Sequence, residues 1–145
     1  MPSPDQVAEK LVVKMADHAV GDENTVLATL GLGSCIGIAL YDRFSKVGGL
    51  VHIMLPENPG GKKIVKYADT GIPFLIDEME DLGAKKRRLS AKIVGGAGMF
   101  KSESGDSVMK IGARNIEAVK ETLTDIGIKI TGSDVGKDYG RSMYF

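Results

Sequence analysis

The chain has 145 residues, 43% hydrophobic and 26% charged, with 19 basic against 19 acidic side chains and a net charge of zero. That is a single domain's worth of ordinary globular composition, long enough to bury a core, and the balanced charge excludes strong attraction to nucleic acid or an anionic membrane surface. One cysteine excludes an internal disulfide and fits a reducing cytoplasm; no apolar run approaches membrane-spanning length, and the N-terminus lacks the basic-then-apolar pattern of a signal peptide.

Residues 1–145 read as one domain, with 1–10 as a loose N-terminal tail because Pro2 and Pro4 oppose regular structure. Leu11–Met15 predicts a short strand, and Asp17–Asn24 a polar connection with a turn at Gly21–Asn24. Thr25–Leu30 is β-branched and apolar, a buried strand running into the glycine-rich turn Gly31–Ser34. Ile36–Tyr41 and Val47–Leu55 predict two more strands around a turn at Asp42–Ser45, and Pro56–Gly61 is a loop. Ile72, Leu75, Ile76, Met79 and Leu82 fall on one face of a helix that starts near Asp69 or Thr70, either of which can cap it, and stops at Gly83. Pro73 argues for a start close to Thr70, since proline is tolerated in a first turn. Lys85–Arg88 reads as a solvated surface. A strand at Leu89–Val94, a second glycine-rich turn at Gly95–Phe100 and a polar stretch at Lys101–Ser107 follow. A second helix over Ala113–Ile126 carries Ile116, Val119, Leu123 and Ile126 on one face; then come a strand at Ile128–Thr131, a loop at Gly132–Gly140 and a closing strand at Arg141–Phe145. Strands early and helices late predict an α+β domain, sheet or double sheet, with two helices packed on one face.

Two residues in this layout carry candidate chemistry. Cys35 follows three small residues, Gly31, Gly33 and Ser34, which allow a sharp turn and close approach. A free cysteine is often only a small buried hydrophobe, but a core cysteine has no need of that turn. His52 lies seventeen residues further on, in the apolar strand Gly49–Leu55. A hairpin with the four-residue loop Asp42–Ser45 pairs Tyr41 with Lys46 and sets Cys35 directly opposite His52, with Cβ atoms about 4.5–5.5 Å apart. A single Cys and a His within reach make a candidate nucleophile and base. Amide N–H groups of the turn, with Gly33, Ser34 and Ile36 as the backbone site, are placed to meet a developing oxyanion. Thr29, Asp69 and Thr70 are alternatives for the group that orients the imidazole. His18 has no partner visible in the sequence and reads as surface. One Cys and two His without metal-ligand spacing predict no metal site, and neither glycine-rich turn has a phosphate or dinucleotide pattern, so no cofactor is expected.

The segments Thr29–Cys35, Gly48–Pro56, Lys66–Asp69, Lys92–Phe100 and Ile111–Asn115, in that order, resemble CheD, the chemoreceptor glutamine deamidase family of bacterial and archaeal chemotaxis. The resemblance implies a layered α/β/β fold similar to deamidating bacterial toxins and a Cys-His-Thr site carried by Cys35, His52 and Thr29. It implies a cytoplasmic hydrolase that converts glutamine side chains on the cytoplasmic helices of methyl-accepting chemotaxis receptors to glutamate and ammonia; some members also hydrolyse glutamate methyl esters. It further implies a CheC-type phosphatase as a partner. The alternative expectation is a weakly catalytic binding module that stimulates such a phosphatase. A thiol redox sensor is a third, disfavoured by the lack of a resolving cysteine.

Overall fold

The computed structural model describes residues 9–98 and 107–145, with only the backbone described for 107–110. The larger sheet has five strands in the spatial order β2 (Asp17–Gly21), β5 (Val47–Ile53), β4 (Ile36–Asp42), β6 (Leu89–Gly95) and β7 (Lys129–Val135). Neighbours are antiparallel except β6 and β7, whose parallel pairing requires a crossover, supplied by helix α2 (Ser107–Ile126). The smaller sheet has the order β1 (Glu9–Val12), β3 (Thr25–Leu32) and β8 (Arg141–Tyr144). Helix α1 (Ala68–Asp81) joins β5 to the strand β6.

The central strands β4 and β5 are buried along almost their whole length. They therefore read as continuous apolar runs, because both of their faces are covered. Ile36, Ile38 and Leu40 of β4 and Val47, Val51 and Ile53 of β5 pack with Ile72, Leu75, Ile76 and Met79 of α1 and with Val119 and Leu123 of α2. The alternate residues Ala39 and Leu50 face the other way, onto Val13, Leu27, Leu32 and Met143 of the small-sheet side. Each fully buried Leu or Ile contributes about 1.5–3 kcal/mol. The result is a mixed α+β domain with two helices on one face of the larger sheet and the smaller sheet on the other.

Several predicted boundaries move. β1 opens at Glu9, inside the stretch 1–10 expected as tail, and ends at Val12 rather than Met15. The polar stretch from Asp17 is an edge strand, which one-sided solvation lets be polar. His18 on it is not a lone surface residue: its Nε2 lies 3.4 Å from Glu78 Oε1 and its ring meets Phe74 edge-on at 4.9 Å. Helix α1 starts at Ala68 and tolerates Pro73 in its second turn. Asp69 and Thr70 do not cap it; Asp69 Oδ1 accepts the Asn58 N–H at 2.9 Å and the Thr70 hydroxyl donates to Ile64 O at 2.6 Å, pinning the preceding loop. Helix α2 starts before Ala113, and β7 runs to Val135 through part of the expected loop. Residues 1–8, and Met99 to Asp106 of the second glycine-rich turn and the polar stretch after it, lie outside the described residues.

The loop between β4 and β5 has four residues, at Arg43–Lys46 instead of Asp42–Ser45, because Asp42 stays in the ladder opposite Val47. Its fully buried carboxylate accepts the N–H groups of Phe44 (2.9 Å), Ser45 (3.3 Å) and Lys85 (2.9 Å) and the Arg88 Nε–H (3.0 Å), with Arg88 Nη2 at 2.8 Å. Arg88 also lies over the Phe44 ring at 4.8 Å. It is thus a structural cation, unlike the solvated residue expected from the Lys85–Arg88 run.

Burial pushes the Asp42 carboxyl up, but the Arg88 guanidinium and the three N–H groups outweigh it and hold the group well below the usual carboxylate range. A carboxyl depressed in the folded state adds stability above the ordinary carboxylate range and loses it as pH falls toward the folded value. Asp42→Asn is expected to cost about 2–4 kcal/mol at neutral pH. The variant's urea midpoint should also fall less steeply than the parent's between about pH 5 and pH 2. Equal midpoints for the two proteins at neutral pH would refute the role given to Asp42.

Candidate active site

The path of the chain puts Cys35 between the two sheets. β3 belongs to the small sheet and β4 to the large one, so the residues between them must cross the gap. The ladder with β8 shifts between Thr29 and Leu32, and Gly31 has φ of 68°, a conformation that suits glycine. Cys35 sits one residue before β4, half-buried, packed against the inter-sheet cluster.

His52 comes to the same face by register. The structure pairs it with Gly37 on β4 and with Asp17 on β2. The expectation that Cys35 stands directly opposite His52 is therefore corrected: sliding the four-residue loop by one position moves the pairing by two. A two-residue shift preserves the face, so thiol and imidazole become diagonal neighbours on one side of the hairpin. Gly37 has no side chain, and a methyl there would come within 3.1 Å of Thr29 Cγ2 and 3.2 Å of Met143 Sδ. The small sheet closes over the imidazole through this space.

Thr29 fixes the tautomer of that imidazole. Its hydroxyl donates to the Val13 carbonyl at 2.7 Å and lies 2.8 Å from His52 Nδ1. A hydroxyl has one proton; with that proton on Val13, its oxygen accepts from Nδ1–H. Neutral His52 then carries its lone pair on Nε2, a buried atom with no hydrogen-bond partner among the described residues. Both Thr29 and His52 are essentially inaccessible to solvent. A neutral imidazole held this way keeps Nε2 unpartnered among the described residues, and Cys35 borders the same inter-sheet cluster.

The turn ahead of Cys35 is fixed by its carbonyls. Gly33 O accepts Ala97 N–H at 2.9 Å, Ser34 O accepts Asn115 Nδ2–H at 2.8 Å, and Cys35 O accepts Gly96 N–H at 2.9 Å. Gly95 makes this approach possible: a methyl there would collide with the Cys35 carbonyl oxygen, and its φ is 117°. In a trans peptide the N–H points opposite to the C=O. The Gly33 and Ser34 carbonyls, tied to Ala97 just after β6 and to Asn115 on α2, thus turn the N–H groups of Ser34 and Cys35 the other way, and neither donates a backbone hydrogen bond among the described residues. Ile36, expected as a donor, is instead the first ladder residue of β4, between Ile53 and Gly95, with its N–H committed to the sheet.

Four contributors escaped the sequence reading: the Val13 carbonyl, the Gly96 amide, the Ala97 amide and Asn115. Three are backbone groups, for which side-chain identity gives no signal. Asn115 had a signal, a polar residue within the apolar-periodic stretch of α2, and it is fully buried. A cavity of about 540 Å³ lined by Tyr41, Gly48, Tyr144 and Phe145 lies at the far end of β4 from Cys35.

Burial pushes the Cys35 thiol up, with a smaller opposing pull from its own backbone N–H, and burial pushes His52 down. Both shifts favour a neutral thiol beside a neutral imidazole at rest. A histidine depressed by folding contributes stability above its ordinary pKa and loses it as pH falls below that value. Thr29→Val strips the partner from both Val13 O and Nδ1–H and is expected to cost about 1–3 kcal/mol. Nitrogen NMR of His52 at neutral pH should report the Nδ1–H form in the parent protein and a mixture in Thr29→Val. An Nε2–H parent ring would overturn the assignment.

A family model described as CheD chemotactic sensory transduction matches residues 54–145. The chain is 49% identical over 138 residues to a protein of Caldanaerobacter subterraneus subsp. tengcongensis named probable chemoreceptor glutamine deamidase CheD, spanning 93% of this chain and 85% of that one. It is 47% identical over 140 residues to a Clostridium botulinum protein of the same name, spanning 94% and 86%. Among solved structures it is similar to the Bacillus licheniformis hypothetical protein YfiH, at 18% identity and a TM-score of 0.49, over 81% of this chain and 50% of that one. With a family model covering more than half of its length and relatives near half identity along nearly all of it, this chain belongs to the CheD family.

Proposed function

We propose that this protein is a chemoreceptor glutamine deamidase, a protein-glutamine amidohydrolase in which Cys35 is the nucleophile, His52 the general base and Thr29 the residue that orients it. The observation that carries the proposal is the Val13–Thr29–His52 chain of hydrogen bonds, which puts the proton on Nδ1 and leaves Nε2 without a partner among the described residues. Family membership supplies the substrate class.

The chemistry follows from these groups. Nε2 takes the Cys35 proton as sulfur attacks the side-chain amide carbon of a receptor glutamine. The oxygen of the tetrahedral intermediate becomes an anion, held by the N–H groups of Ser34 and Cys35; a donor of this kind is worth about 10²–10³ in rate. The C–N bond breaks, and the imidazolium gives its proton to the departing ammonia. Water then loses a proton to Nε2 and adds to the thioester, and collapse releases glutamate and restores the thiol. Thr29 takes no proton; its oxygen keeps Nδ1–H in place and stabilises the imidazolium that forms twice. A glutamate methyl ester meets the same nucleophile, with methanol leaving in place of ammonia.

The same proposal includes a cytoplasmic location, where such receptor helices lie, and binding of a CheC-type phosphatase, which rests on family membership alone. It also includes the likeness to deamidating toxins, supported by a thiol-imidazole-hydroxyl site on a layered α/β/β domain. Among the described residues no helix is long and apolar enough to cross a membrane.

Cys35→Ala should retain the fold and lose all conversion of receptor glutamine to glutamate, read as the mass gain of each amide-to-acid change on receptor peptides. Undiminished conversion by that variant would sink the proposal.

A further inference from the structure

Asn115 reaches both halves of the site from a third element. It lies on α2, is fully buried, and its Nδ2 donates to Ser34 O at 2.8 Å and to Met54 O at 3.0 Å. Both acceptors are carbonyls, so only the amide's N–H₂ end can face them. Its Oδ1 is buried without a partner among the described residues, and the two donor bonds orient the side chain. Ser34 O belongs to the same peptide unit as the Cys35 N–H, and Met54 stands two residues beyond His52 on the β5 side. One amide therefore ties the peptide plane of the nucleophile to the strand of the base.

We propose that Asn115 is a positioning residue for the reaction: by bridging Ser34 O and Met54 O it fixes the peptide plane that points the Cys35 N–H at the oxyanion and sets the spacing between Cys35 and His52. This rests on the deamidase assignment only for the identity of the substrate. The Gly33 and Cys35 carbonyls have backbone donors from Ala97 and Gly96, which no substitution other than proline removes. The Ser34 carbonyl, between them, has only Asn115 among the described residues. Without that bond the Ser34–Cys35 peptide is free to rotate about the flanking dihedrals, and the oxyanion loses a fixed donor. The close fit of α2 at this point is visible in Gly112, where a methyl would lie 2.6 Å from Ala97 O. The helix is thereby held against the same turn that anchors Gly33 and Cys35.

The test uses Asn115→Leu, which keeps the branched heavy-atom shape in a bulkier side chain and removes both donors, with Asn115→Ser measured in the same assays if the leucine variant melts below the assay temperature. On a receptor peptide kcat should fall about 10- to 100-fold while KM stays within about twofold, since the interaction acts through the reacting groups and not on substrate binding. In parallel, the rate of Cys35 alkylation by iodoacetamide is followed against pH. The variant's profile should shift to higher pH, because the thiol has lost its registered base. A folded variant with kcat within about twofold of the parent and a superimposable alkylation profile, or one with raised KM and unchanged kcat, overturns the inference. The two readouts separate this inference from the functional assignment. A parent protein that leaves receptor glutamines untouched, alongside a variant with a shifted alkylation profile, refutes the substrate and supports the positioning role.

Discussion

A single hydroxyl proton organises this site. Thr29 can donate to one group only, and it donates to the Val13 carbonyl, so its oxygen must accept from the imidazole. That choice decides which nitrogen of His52 is a base and which is a tether. It also requires three separate parts of the chain to meet: the residue after β1, the middle of β3 and the end of β5. The layering exists in order to hold them, since Val13 and Thr29 come from the small-sheet side and His52 from the large sheet. Gly37 leaves the gap in which they touch.

Burial has two opposed effects on such a site. It raises the thiol and lowers the imidazole, which disfavours a resting ion pair. The same burial strengthens the field of any N–H group aimed at a developing oxyanion and spares it from reorganising in water. In the proposed reaction, a neutral resting pair with preset donors activates the sulfur when an amide carbon arrives. Nε2 and Asn115 Oδ1, unpartnered among the described residues, are costs that a domain of this size absorbs through its two apolar layers.

Different kinds of residue were legible to different degrees. The buried strands β4 and β5 were evident from unbroken apolar runs, and both helices from their one-faced stripes, because each of those signals is local. Edge strand β2 was missed because its exposed side is polar, and the start of α1 because Asp69 and Thr70 hold a loop rather than cap the helix. The hairpin loop was one residue off because Asp42, a turn former by type, is recruited into the ladder by Arg88, a residue 46 positions away. The site was robust to that error, since side chains alternate with period two and the loop kept its length.

The sequence by itself determined which chemistry is available: one thiol behind a small-residue turn, one histidine on an apolar strand at a spacing that sets both on the same face, and motifs that resemble one family. Tertiary structure decided the rest. It selected Thr29 over Asp69 and Thr70 as the partner of His52, paired His52 with Gly37 rather than Cys35, and turned the Ser34 and Cys35 amides outward by tying down the Gly33 and Ser34 carbonyls. Those outcomes depend on backbone groups and on contacts between residues far apart in the chain. No local pattern encodes which carbonyl a distant amide will meet once two sheets and a helix have packed.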